Sequence, residues 1–296
     1  MVTMRIDLHT HSDRSDGTDA PAALVEQAHA GGIDVLALTD HDTTEGWDEA
    51  AAEARRLGLV LVPGIEVSCR FAGHGVHLLA YLPDPGYPPL VEELDRILDG
   101  RRSRLPATLT KLRALGIDVG AEDVRRAAGG AVALGRPHVA DALVAKGVVR
   151  DRKEAFDTLL GTGGPAYVDR HAADLVTMIR TVAAAGGVSV IAHPWASRHR
   201  HEGLDEAGLA RLVEVGLAGV EVDHQDHDRA TRDRLRATAR DLGLVVTGSS
   251  DFHGAGKTNH EIGCNTTSEA DFERLLELAG DSASRSGRRT PAVVGR

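Results

Sequence analysis

Short β-rich runs recur along this chain, and most of them lead directly into a histidine or a carboxylate. The runs are Met4–Leu8, Val35–Leu38, Leu59–Ile65, Val76–Tyr81, Ser189–Ala192, Gly219–Val222 and Leu244–Gly248. Helical periodicity follows in Pro21–Ala30, Trp47–Leu57, Asp174–Ala185, Glu206–Val215 and Asp228–Leu242. Pro21 suits a first helical turn, and Gly31 with Gly32 suits a helix end. About seven strands alternating with helices predict an α/β fold whose sheet closes into a (β/α) barrel or a distorted version of one.

The rhythm breaks between about residues 99 and 168. There Arg101–Leu115, Ala121–Ala128, Pro137–Lys146 and Arg152–Leu160 read as consecutive helices with no strand between them. Because the alternation resumes afterwards, the expected organisation is a discontinuous barrel of residues 1–98 and 169–280 with a helical cap inserted at 99–168. The stretch "GDSASRSGRRTPAVVGR" from Gly280 is rich in Gly, Ser and Arg, which predicts a mobile tail over 281–296.

With 296 residues, 42% of them hydrophobic, the chain has ample material for a buried core. Met1–Leu8 carries Arg5 and Asp7 and lacks the apolar segment of a secretory leader. No window approaches the roughly 18 apolar residues of a membrane span. The expected location is the cytoplasm. A formal net charge of -10 argues against broad adhesion to nucleic acid or membrane surfaces. Cys69 and Cys264 form no C-x-x-C pair, so neither a disulfide framework nor a cysteine zinc site is indicated. "GTGGP" at 161–165 lacks the ending of a phosphate loop and reads as a turn.

His9 and His11 are two apart at a strand end, so their side chains leave one face. In a parallel barrel that C-terminal strand end is where active sites sit. Asp16 follows in the next loop, His41 follows the second strand and Glu66 the third. "GVHLLAY" supplies His77, "VIAHP" supplies His193, and "TGSSDFHG" supplies Asp251 and His253. Nine His, Asp and Glu side chains from six places thus converge on one rim, which marks a metal site. Asp40 reads as an orienter of a ligand histidine and not as a ligand. Imidazole and carboxylate without thiolate suit Mn, Fe or Zn in a catalytic setting. Nine donors exceed one ion's needs, so two or three divalent ions with a bridging carboxylate are expected. Such a centre generates hydroxide near neutral pH and clamps the attacking and leaving oxygens of a phosphate.

The segments "DLHTHSDRSDG", "ALTDHDT", "GIEVS", "HLLAY", "IAHP" and "GSSDFHG" resemble the PHP (polymerase and histidinol phosphatase) family of metal-dependent phosphoesterases, in the family's order across residues 5–263. The resemblance implies a distorted (β/α)7 barrel with a trinuclear centre, manganese being the first expectation and iron or zinc the others. Carried over by motif, it places His9, His11, Glu66 and Asp251 on one metal. Glu66, His77 and His193 fall on a second, and Asp16, His41 and His253 on a third, with Glu66 as the bridge. In several relatives the residue matching Asp16 is a histidine, which points to a weaker third site here. The family usually shows a histidine matching His227, a substrate contact or a proton donor to the leaving oxygen. The roles of Asp223 and His224 stay open. His29, His74, His171, His199, His201 and His260 are expected on surfaces or loops.

The insertion adds a narrower resemblance. "LGRPHVADALVAKGVV" followed by "FDTLLGTGGPAYV" looks like the cap of PHP proteins that act on small nucleotides. Some of these remove the 3′-phosphate of nucleoside 3′,5′-bisphosphates, and others trim short RNA from its 5′ end. Arg136 and His138 match cap residues that hold a phosphate, and Lys257 in "HGAGKTNH" is placed to assist. Each also has a plain structural alternative, such as a helix end or a carboxylate partner. From Gly100 to Lys153 there are twelve Lys and Arg against five acids, a formal +7 that would draw a phosphorylated substrate. The expected function is hydrolysis of a small nucleotide's phosphate ester, with Asp16, His41 and His253 nearest the transferred group. The partner is therefore a small phosphorylated substrate, without duplex nucleic acid or membrane. A histidinol-phosphate type phosphatase and a C–N bond metal hydrolase are the alternatives. No strand-end lysine stands ready to bridge metals as in the latter, and a non-catalytic module is disfavoured because every ligand position is filled.

Overall fold

The computed structural model describes residues 4–129, 134–196 and 203–296; His199 and His201 lie outside them. In chain order the strands are β1 (Ile6–Thr10), β2 (Val35–Leu38), β3 (Val60–Phe71), β4 (His74–Tyr81), β5 (Ala173–Asp174), β6 (Val188–Ile191), β7 (Gly219–Asp223) and β8 (Val245–Gly248). The α-helices are α1 (Pro21–Ala30), α2 (Trp47–Leu57), α3 (Pro88–Ala114), α4 (Ala121–Ala127), α5 (Arg136–Ala145), α6 (Arg152–Ala155), α7 (Leu175–Ala184), α8 (Glu206–Glu214), α9 (Arg229–Asp241) and α10 (Glu269–Ser286). A single π turn, Phe156–Leu160, continues α6.

Two compact units emerge. One comprises Met1–Leu94 with Ala172–Arg296, the other Asp95–His171. The first is an α/β unit whose sheet runs β1-β2-β3-β4-β6-β7-β8, with β5 beside β3. Its edges approach where Thr10 bridges Phe252 in parallel, so the sheet is a nearly closed barrel. Aliphatic alternation supplies the interior: Ile6, Leu8, Val35, Val62, Leu79 and Val190 are buried in one cluster with Phe272 and Leu275 of α10. Tyr81 is wholly buried there because its hydroxyl donates to Leu8 O at 2.8 Å.

Short polar residues start the helices as their chemistry requires. Asp174, Asp205, Asp228 and Ser268 each accept a backbone N–H from the first turn of α7, α8, α9 and α10. Each such cap contributes about 1 kcal/mol.

The barrel departs from an all-parallel plan at one strand. β4 pairs antiparallel with both β3 and β6. This explains His77. It lies in the first half of β4, opposite Ser68, and reversal of that strand brings it to the end where the other strands finish.

The C-terminal segment also differs from a loose tail. α10 continues to Ser286, and Val294, 8% exposed, bridges Leu61 antiparallel beyond it. Composition there masked one apolar residue with a strand to pair against. In the second unit, Leu109, Leu112, Val124, Val139, Leu143 and Leu160 are buried together, so the inserted helices have a core of their own. No helix among the described residues is long and apolar enough to cross a membrane.

Candidate metal centre

Glu66 is 1% exposed on β3, and five imidazoles converge on its carboxylate. Oε2 lies 3.4 Å from His9 Nε2, 3.2 Å from His11 Nε2 and 3.0 Å from His41 Nδ1. Oε1 lies 2.8 Å from His77 Nδ1 and 3.3 Å from His193 Nε2. Asp251 Oδ1 stands 3.5 and 3.4 Å from the Nε2 atoms of His9 and His11. Asp16 approaches His253 Nε2 at 3.2 Å and His41 Nε2 at 3.7 Å. All nine side chains read from the sequence therefore meet. The donor atoms of eight of them fall into overlapping groups, His9, His11 and Asp251; His41, Glu66 and His77; and His11, Asp16, His41 and His253, while His193 joins through Glu66. His11 and His41 each stand at a junction between groups, which motif matching alone did not show.

The backbone is shaped to make this convergence. A Cβ on Gly17 would meet His11 O at 2.6 Å, so only glycine lets the loop carrying Asp16 fold back on β1. His193 (φ 30°) and Asp251 (φ 53°) occupy the left-handed region, at a cost of about 1–3 kcal/mol each. His193 N donates to Glu221 Oε2 at 2.9 Å and Asp251 N to His9 O at 2.9 Å, which hold both residues there.

Hydrogen bonds also set which ring nitrogens are bare. His9 Nδ1 is 3.1 Å from Glu221 Oε1, so Nδ1–H donates and Nε2 keeps its lone pair. That Nε2 lies 3.0 Å from His11 Nε2, a spacing that needs a proton or a cation between two lone pairs. His253 Nδ1–H donates to Asp251 O at 2.9 Å and leaves Nε2 facing Asp16. Bare imidazole nitrogens aimed at carboxylates are the donor set of hard and borderline divalent ions, so the residues fit metal.

Charge points the same way. Burial would push His9 down, but Glu66, Asp251 and Glu221 hold it well above the usual imidazole value. His11 is buried too, yet hydrogen bonds to Asp251 and Glu66 raise it to about 9. Burial opposes ionisation of Glu66 as well; His41, His77 and His9 outweigh it and keep the carboxyl well below its usual range. Asp16 and Asp251 are likewise held low against burial, the first by His41 and His253, the second by Lys257 and His9. Protons here stand where divalent ions would stand.

Other polar residues hold the ligands in place. Asp40 accepts from Ser12 N at 2.8 Å, Ser12 Oγ at 2.5 Å and Ser15 Oγ at 2.6 Å, and so fixes the loop after β1. Glu221, on β7, belongs by sequence to the same rim as Asp223, His224 and His227; it orients His9, holds His193 N and accepts from Ser249 Oγ. Its period-2 alternation with buried Val220 and Val222 was the available signal. Glu221→Gln offers one carbonyl oxygen where two carboxylate oxygens accept. Metal affinity is expected to fall about 10- to 100-fold, as a metal titration followed by elemental analysis would read.

The remaining residues separate. His224 Nδ1 accepts from Asp226 N at 3.1 Å, so its Nε2–H donates to Asp251 Oδ2 at 3.1 Å. Asp223 pairs with Arg236 on α9, a structural role. His260 lies in a loop, as expected, but is buried: it is 4% exposed, and its Nδ1–H donates to Ser250 O at 2.8 Å. His227 Nδ1–H donates to Val222 O at 2.8 Å, leaving a buried Nε2 with no hydrogen-bond partner among the described residues. Burial lowers its pKa, so His227 starts neutral and is an acceptor before it is a donor. Lys257 ion-pairs with Asp251 Oδ2. In the second unit His138 Nδ1 accepts from Gly135 N at 2.9 Å and caps α5, and Arg136 donates to Leu160 O at 3.2 Å.

The PHP domain profile matches residues 7–110. The 3′,5′-nucleoside bisphosphate phosphatase of Chromobacterium violaceum is 34% identical over 262 residues, 87% of this chain and 90% of that one. The chain belongs to the PHP family. A second relative, the 5′-3′ exoribonuclease of Haemophilus influenzae, is 34% identical over 252 residues, 85% of this chain and 91% of that one. Among solved structures, a Bifidobacterium adolescentis protein assigned as a metal-dependent phosphoesterase superposes with a TM-score of 0.85 at 34% identity, covering 93% and 96% of the two chains. This PHP protein is a metal-dependent phosphoesterase, and its histidine and carboxylate groups are the candidate seat of the metal.

Proposed function

We propose that this phosphoesterase acts on small nucleotides and removes the 3′-phosphate of nucleoside 3′,5′-bisphosphates, with trimming of short 5′-phosphorylated RNA as a related activity. The observation that carries the hydrolytic part is the Glu66 carboxylate ringed by five imidazoles and flanked by Asp16 and Asp251. The choice of substrate is supported by the two relatives, whose names share a phosphate ester on a ribose unit.

Two or three divalent ions, manganese foremost, would be held by His9, His11, Glu66 and Asp251, by Glu66, His77 and His193, and by Asp16, His41 and His253. Bound there, such ions activate water near neutral pH and neutralise charge on the phosphate's equatorial oxygens. The chain's own groups do the rest. Glu221 and Asp251 O fix the tautomers of His9 and His253, so their Nε2 atoms face inward before substrate arrives. His227 would hold a neutral imidazole whose unpartnered Nε2 could accept a hydrogen bond or a proton from substrate. Lys257 balances Asp251 and, once a cation takes that role, is free to meet a phosphate oxygen.

Protein loaded with Mn²⁺ is expected to release inorganic phosphate from adenosine 3′,5′-bisphosphate and leave AMP, identified by chromatography. Adenosine 3′-phosphate as product, or intact substrate from metal-loaded protein, would contradict the substrate assignment.

A further inference from the structure

Asp251 does not use its two carboxylate oxygens alike. Oδ1 faces imidazoles, with His9 Nε2 at 3.5 Å, His11 Nε2 at 3.4 Å and His253 Nδ1 at 3.5 Å. Oδ2 is met instead by two other donors. His224 Nε2 lies 3.1 Å from it, and the Lys257 ammonium lies against the same atom.

These two donors differ in how firmly they are held. Lys257 ends a flexible four-carbon stem and is a quarter exposed. His224 is wholly buried. Its Nδ1 accepts from Asp226 N at 3.1 Å, so the ring cannot turn over without losing a backbone hydrogen bond. Its carbonyl accepts from Arg232 Nη2 at 2.6 Å and from His227 N at 3.0 Å. Arg232 places its other nitrogens on His227 O at 3.0 Å and Asn265 Oδ1 at 2.9 Å, and so ties the loop after β7 to the segment after β8. The rings of His193, His260 and His227 stand around His224 at centroid distances of 4.9, 5.5 and 5.8 Å. A side chain fixed at both ring nitrogens and at its carbonyl is a rigid support for the group it touches.

His224, Asp251 and His260 also lie close enough together to hold an ion of their own. The hydrogen bonds speak against that use. An imidazole that accepts at Nδ1 and donates from Nε2 has no lone pair left for a metal. Lys257 already brings a positive charge to the oxygen such an ion would need.

We propose that His224 is a positioning residue, which holds Oδ2 of Asp251 so that Oδ1 is the oxygen presented to the metal. The inference rests on Asp251 being a metal ligand, as proposed above. A carboxylate held by an outer hydrogen bond has lost its rotational freedom before the ion arrives, which favours binding. The motifs left the role of His224 open; its burial and its two ring contacts supply one.

The test is the Mn²⁺ affinity of the stripped full chain, titrated against a fluorescent chelator, with ions per chain counted by elemental analysis. Wild type, His224→Leu, His224→Gln and Asp251→Asn are compared. His224→Leu keeps the volume and removes the donor, and is expected to weaken Mn²⁺ binding about 10- to 100-fold. His224→Gln places an amide N–H where Nε2–H stood, and is expected to bind like wild type with the same number of ions. A residue that only fills space would not distinguish the two. Leucine and glutamine variants that bind alike, both as wild type or both weakened, overturn the proposal. A whole ion lost from both variants overturns it too, because His224 would then be a ligand itself. Wild-type affinity in Asp251→Asn removes the ligand assignment beneath the proposal, a failure distinct from that of His224. If His224→Leu does not unfold cooperatively on heating, His224→Asn takes its place. It keeps an acceptor for Asp226 N and is too short to reach Asp251.

Discussion

Glu66→Gln is expected to lower phosphoesterase turnover about 1000-fold or more, the scale of several kcal/mol of lost charge stabilisation. The substitution keeps the volume and one acceptor oxygen, so the barrel wall is not disturbed. It removes the negative charge toward which His9, His11, His41, His77 and His193 all turn. It also places an amide N–H₂, a donor only, against ring nitrogens that must be bare to bind metal. Both effects act on every ion that shares the carboxylate. Glu221→Gln, one step removed, is expected to do less. Steady-state rates with saturating Mn²⁺ check the order: Glu66→Gln far below Glu221→Gln, and both below wild type.

Metal removal is the second large effect, and it carries a pH signature. An ion bound by the folded chain alone, at a hundredfold excess over its Kd, stabilises that chain by about 2.7 kcal/mol. Chelated protein is therefore expected to lose turnover completely and to melt several degrees lower. In the stripped protein His11 is raised from the ordinary 6.5 to about 9. Its contribution to stability is then fully present below about 6.5 and is lost as pH rises through about 9. A metal ion must displace that same proton, so its affinity moves oppositely and rises over this window. The gap in melting temperature between Mn²⁺-loaded and stripped protein should widen from pH 6.5 to 9. A gap that stays constant or narrows would show that the histidine protons do not compete with the metal.

Much of the barrel was legible because its strands are short, buried and bounded by helices whose aspartate caps are written in the sequence. Asp174, Asp205 and Asp228 are examples. The reversal of β4 was not legible. An apolar strand reads the same in either direction, and only the pairing of His77 with Ser68 reveals it. The nine inward-facing His, Asp and Glu side chains could be found because they interrupt or directly follow short apolar runs, places where a hydrophobic core does not ask for them. Glu221 and Asp40 were harder. A carboxylate that accepts from an imidazole or a serine looks, in sequence, like one that binds a cation.

The burial of His260 within its loop was not legible either. Nothing in "KTNHEIG" marks it as buried; a contact with Ser250 O, ten residues away, does. The basic insertion is a third case. Charge counting weighs all twelve Lys and Arg alike, whereas folding sets seven of them beside six acids and buries Arg104. Composition records charge, but not which charges already have partners.

The most direct measurement is metal content and phosphate release on the same samples, wild type and Glu66→Gln, after stripping and stepwise return of Mn²⁺. The expected result is two or three ions per wild-type chain, with turnover appearing as they bind and neither recovered in Glu66→Gln. Full turnover from stripped wild type, or wild-type metal content and turnover in Glu66→Gln, would contradict a shared metal centre built around Glu66.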